Sequence, residues 1–65
     1  MIKLSDLLDV LVAMNVKIYL HVDKDTRKLL YDGDANFAKL HIEDIDKYNV
    51  LLVFSLRDLE IVVTK

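Results

Sequence analysis

Eight residues constrain this chain more than any others. Val16, Ile18, Leu20 and Val22 alternate with Lys17, Tyr19, His21 and Asp23. Strict period-two alternation puts successive side chains on opposite faces of a pleated ribbon, so this stretch reads as a half-buried β-strand. Asp23-Lys24-Asp25-Thr26 follows as a turn whose polar side chains bond local backbone, and Arg27 to Tyr31 returns as a second strand. A four-residue loop sets Val22 opposite Arg27, Leu20 opposite Leu29 and Ile18 opposite Tyr31 on the inner face. The outer face then pairs His21 with Lys28, Tyr19 with Leu30 and Lys17 with Asp32. The last is a charge pair of roughly 0.2–1 kcal/mol.

A hairpin alone is marginal in water, so the rest of the chain must cover one of its faces. Ahead of it, Leu4, Leu7, Leu8 and Leu11 keep the i, i+3, i+4, i+7 spacing of one helical face, widened by Val10 and Met14. Ser5 is the expected N-cap and Asn15 the expected helix end. Asp6 and Asp9 are expected near the positive end of the helix dipole. After the hairpin, Asp32-Gly33-Asp34 reads as a turn with Gly33 at positive φ. Ala35, Phe37, Ala38 and Leu40 fit an irregular segment or one helical turn. Residues 43–46 fit a second short turn, with Ile42 and Ile45 inward. The chain closes in another hairpin. Val50, Leu52 and Phe54 are set against Val63, Ile61 and Leu59, with Leu51 against Val62 and Val53 against Glu60 outside.

The expected architecture is α+β over a single domain, residues 1–65. An N-terminal helix packs on an antiparallel sheet of two β-hairpins, with a short helical turn between them (α-β-β-α-β-β). The order of strands in the sheet stays open.

Size makes such a domain depend on dense packing or association. A chain of 65 residues buries only roughly 60% of its unfolded surface. Ordering it costs about 1.5 kcal/mol per residue, nearly cancelling what burial returns. It has no cysteine, and its two histidines, His21 and His41, are too few for a structural zinc site. Hydrophobic residues make up 54% of it, so a full core, an adhesive surface or both are expected. No apolar run approaches the roughly 20 residues of a membrane helix. The first fourteen residues lack signal-peptide features, and the chain is expected in the cytoplasm. A net charge of −2 leaves no basic footprint for nucleic acid.

No catalytic site is recognisable. His21 and His41 have no nucleophile or orienting carboxylate at a fixed spacing, and the single glycine rules out a glycine-rich phosphate loop. No cofactor is expected. The run from Asp32 to Glu43 places Asp32, Asp34, Asn36 and Glu43 where a calcium loop carries oxygen ligands. Phe37 stands where that loop requires glycine, however, and Lys39 where it carries an apolar residue. Five acids, Asp32, Asp34, Glu43, Asp44 and Asp46, form a candidate acidic patch for a basic protein surface, weighed against a plain solvated loop. The stronger lead is the outer sheet face, where Tyr19, Leu30, Leu51, Val53 and Val62 are expected as an apolar interface. On that expectation, glutamate at Leu51 or Val62 breaks a homodimer and spares the monomer. Lys17, Lys28 and Tyr19 on the same face are the nucleic-acid alternative.

The capped "LSDLLDVL" helix, the alternating strand, "LYDGDA" and the terminal hairpin together resemble small proteins of Gram-positive bacteriophages and mobile elements. The resemblance spans most of the chain and supplies no catalytic residue. It implies an accessory role, exerted by stoichiometric binding to a host or phage protein. Some such proteins are anti-defence inhibitors, including inhibitors of CRISPR effectors.

Overall fold

In a computed structural model describing residues 2–11 and 14–65, both expected hairpins form and share one four-stranded sheet. The elements are α1 (Leu4–Val10), β1 (Asn15–His21), β2 (Arg27–Asp34), α2 (Ala35–His41), a single 3₁₀ turn (Ile45–Lys47), β3 (Asn49–Ser55) and β4 (Leu59–Thr64). The strand order is β2-β1-β4-β3. Each hairpin is antiparallel internally, but β1 and β4 run parallel where the hairpins join. That joint departs from a wholly antiparallel sheet. It also settles the order that the sequence left open.

The joint explains the apolar density of β4. Ile18 lies beside Ile61, and Tyr19 beside Val62. Ile61, Val62 and Val63 are all buried. A central strand covered on both faces reads as a continuous apolar run and loses the period-two signature. The main core lies on the helical side of the sheet. Leu4 and Leu8 of α1 and Ala35 and Ala38 of α2 meet Val16, Ile18, Ile61 and Val63, with Ile42 and Tyr48 closing the end. Leu7, Leu11 and Ile45 pack at its margin. The leucine stripe of α1 and the inward isoleucines therefore stand as the spacing implied.

Details of α1 differ. Its N-cap is Lys3, which makes no side-chain cap bond, and Ser5 lies inside the first turn. The helix starts two residues ahead of that cap: the Leu7 N–H donates to the Lys3 carbonyl at 3.1 Å, and the Leu4 N–H is held by the Tyr48 carbonyl at 3.0 Å. The helix ends at Val10, five residues before Asn15, which opens β1. Val10 and Met14 are exposed, so neither widens the buried stripe. Asp9, in the last turn, accepts from Lys39 of α2 and ties the helices together.

Gly33 is not in a turn. It lies within β2 opposite Val16, and close approach accounts for it. A Cβ there would stand 3.0 Å from Tyr31 Oη and 3.3 Å from Cζ. The Tyr31 ring crosses the glycine so that its hydroxyl donates to the Asp34 carbonyl at 2.6 Å, and the ring stacks on His41 at 5.8 Å between centroids. Asp34 in turn caps α2, its Oδ1 accepting from the Asn36 N–H at 2.8 Å. Tyrosine, glycine and aspartate thus fix the corner between β2 and α2.

The registers carry one surprise each. Lys17 opposes Asp32 and Ile18 opposes Tyr31, as expected, but beyond them Tyr19 opposes Leu29, Leu20 opposes Lys28 and His21 opposes Arg27. Leu30 is the extra residue of a bulge. In the second hairpin Val50 opposes Val63, and then Leu52 meets Val62, Val53 meets Ile61 and Phe54 meets Glu60, with Leu51 extra. A bulge inserts one unpaired residue and turns over every side chain beyond it.

Two measurements probe these features. Gly33→Ala should lose about 1–3 kcal/mol in urea unfolding, since its φ of 159° and the overlying phenol both resist a side chain. Asp23 Oδ1 accepts from the Asp25 N–H at 3.0 Å. That bond, and then the Thr26 hydroxyl, hold its pKa below the ordinary value. A carboxylate with a lowered folded-state pKa contributes stability above its unfolded value of about 3.9 and loses it as pH falls through the folded value. An NMR titration should place the Asp23 midpoint below the ordinary aspartate value, and the first turn should loosen only beneath it.

Candidate functional site

Two surfaces remain once the helices have covered one face: the open face of the sheet and the outer edge of β3. On the open face Tyr19, Val62 and Leu52 lie side by side across β1, β4 and β3, with Leu29 beyond Tyr19 on β2. Val62 is only 1% exposed although no helix covers it. Twist supplies the cover. Arg27 lies level with His21 at one end of the sheet, and Phe54 lies level with Glu60 and Lys17 towards the other. Nevertheless the Arg27 guanidinium sits 5.9 Å from the centre of the Phe54 ring. A right-handed twist lifts two diagonal corners of a sheet towards each other over one face. Tyr19 and Val62 lie beneath that diagonal.

The five expected interface residues therefore do not form one patch. Tyr19 is half-buried and Val62 buried on the open face. Leu30, displaced by its bulge, packs against the main core. Leu51 is the exposed bulge residue of β3, and Val53, opposite the core residue Ile61, belongs to the helical side at the sheet's rim. The same register change separates the basic set: Lys28 opposes the core-packed Leu20, away from Lys17 and Tyr19.

The edge of β3 is the more exposed surface. Leu51, Leu52 and Val53 are all exposed, and Leu56, in the loop to β4, is 79% exposed. Sequence reasoning missed Leu52 and Leu56. The usable signal was the unbroken run Val50 to Phe54, which does not alternate and so fits neither a wet face nor a simple register. The first part of the edge is covered. The Val50 N–H donates to the Ile2 carbonyl at 2.8 Å, and Lys3 bridges Asn49. Among the described residues nothing pairs with the outer edge of residues 51–55.

The expected chemical sites fare differently. Residues 35–41 are helical, so the stretch from Asp32 to Glu43 does not wrap as a calcium loop, and Asp34 spends a carboxylate oxygen on its cap. Among the described residues no three histidine or acidic side chains stand close enough to hold a metal. The acidic residues divide between two elements. Asp32 and Asp34 end β2, while Asp44, at φ 55°, caps the 3₁₀ turn and Asp46 lies within it. Asp44 stands 4.0 Å from Lys47, an exposed i, i+3 pair. Glu43 is exposed between the two groups. A shallow cavity of about 420 Å³ lies at the loop end of the open face, lined by Lys17, Leu56, Arg57, Asp58 and Glu60. Its two cations and two carboxylates cancel, which selects no charged ligand.

No protein-family model matches the chain, and neither a curated protein nor a solved structure shows significant similarity to it. Among the described residues no helix is long and apolar enough to cross a membrane.

The burial of Val62 gives a direct check. Val62→Glu places a charge where no water reaches, and the variant should be unfolded by circular dichroism at neutral pH. Leu51→Glu, at an exposed bulge, should change stability by no more than about 0.5 kcal/mol. The sequence alone treated the two as equivalent.

Proposed function

We propose that this chain is a non-enzymatic protein-interaction module that acts by occupying a partner's surface in stoichiometric amounts. The observation that carries this reading is the exposed row Leu51, Leu52, Val53 and Leu56 along one strand edge and its loop. Scattered single apolar residues need no explanation on a small domain, but a contiguous set at an unpaired strand marks a contact surface. Main-chain groups on such an edge offer affinity, and alternate side chains offer selectivity. The likeness to small phage and mobile-element proteins supports the same mode of action, with a host or phage protein as the partner and anti-defence binding as one form of it. Nucleic-acid binding is the weaker alternative, because the net charge is −2 and the basic residues considered for it lie on different faces.

Photo-crosslinking tests the reading. A photoreactive residue at position 52 or 56 should give adducts of one defined mass in the cell that encodes the chain. The same probe at position 25, in the turn of the other hairpin, should give none. Equal yields at positions 25, 52 and 56 would mean that the β3 edge is not a contact surface.

A further inference from the structure

The two outer strands of the sheet are not alike. β2 carries Arg27, Lys28, Asp32 and Asp34, a bulge at Leu30 and the corner into α2. Charges and bulges are the usual means of keeping a sheet edge from pairing. β3 has a bulge at Leu51, but the stretch that nothing pairs among the described residues, Leu51-Leu52-Val53-Phe54-Ser55, contains no charge and no proline. Its neighbours bound it at both ends. Ile2 to Leu4 cover the edge up to Val50, and at Leu56 the chain leaves the strand for the turn into β4.

We infer that the occupant of this edge is a second copy of the chain, joined antiparallel through residues 51–55 about a two-fold axis at Val53. The inference rests on the interaction reading and gives that surface its partner. Three features favour a second copy over another strand. The free stretch is centred on Val53, so the two-fold that uses all of it sets Leu51 opposite the second copy's Ser55 and Leu52 opposite its Phe54, with no like charges facing. Each strand ends at Ser55, and Leu56, the first residue of the turn, falls where the other copy's Ile2 occupies the same edge. Ile2 and Leu56 are 60% and 79% exposed, and the pairing brings these two apolar side chains of opposite copies together. Finally, an isologous pairing consumes the free stretch and leaves only the charged β2 strands outermost, so assembly closes at two copies instead of growing into a fibre.

The absence of native cysteine makes the register directly measurable. Residues directly opposed in an antiparallel pair have Cα atoms about 4.5–5.5 Å apart, within the range a disulfide spans. Light scattering should give twice the chain mass for the wild type and for Val53→Thr, and the single-chain mass for Val53→Lys. Val53→Cys should oxidise to a covalent dimer several-fold faster than Leu29→Cys, whose thiol lies on the opposite outer strand. Circular dichroism of Val53→Lys should match the wild type, because Val53 is 46% exposed at the rim. A wild type that stays monomeric well above micromolar concentration overturns the inference. So does a dimer that persists in folded Val53→Lys, or equal oxidation at positions 29 and 53. A monomer that still gives site-specific adducts at position 52 or 56 overturns self-pairing alone and leaves the interaction reading standing.

Discussion

Everything in this fold depends on two strands lying side by side in the same direction. β1 and β4 come from different hairpins, and neither hairpin has enough apolar surface to stand alone. Placed parallel, they bring Val16 and Ile18 against Ile61 and Val63, and the two short helices then need to cover only one contiguous floor. The helices themselves are each seven residues long. Segments of that length are unstable in isolation and are helical because packing holds them so. The sheet comes first energetically and the helices follow.

The same joint sets the unusual state of the open face. A flat four-stranded sheet would leave Val62 wet. Twist folds the face in upon itself, and a cation over an aromatic ring spans its diagonal. A small chain thereby gains a second minor core without further helices. The cost falls on the outermost strands, which are drawn around the twist and each need an extra residue to keep pace. One of them is shielded by charge, and the other is covered at its upper end by Ile2 and Lys3.

Much of the fold was legible because it follows from local periodicity. The alternation of β1 from Val16 to His21, the leucine stripe of α1, the inward Ile42 and Ile45 and both hairpin turn positions stand in the structure, whereas Val22, expected inward opposite Arg27, lies beyond the strand and is exposed because the register change sets His21 there instead. The candidate site was much less legible. Leu30 and Leu51 are ordinary apolar residues in ordinary strand sequence, and nothing local marks either as unpaired. Bulges answer to the twist of the whole sheet, which depends on a strand order that no single segment encodes. Each moved the later side chains to the other face, so the residues expected together as one patch were dispersed. Ser5 failed as a cap for a related reason: the helix starts two residues earlier, the Leu7 N–H already bonding the Lys3 carbonyl, because Tyr48, far along the chain, holds the Leu4 N–H. Gly33 was read as a turn residue because glycine between two aspartates is a common turn. Its purpose here is to leave room for a ring two residues earlier.

The extra residue in each outer strand has a consequence for how such a chain tolerates change in length. Removing Leu30 would only delete the bulge: Leu29 would still stand opposite Tyr19 and Lys28 opposite Leu20. A residue lost from a paired position of the same ribbon would instead carry every side chain beyond it to the other face. Each outer strand therefore has one place where a residue can be lost without reversal, and elsewhere a change of length is read in which side chains change places more than in how many are lost.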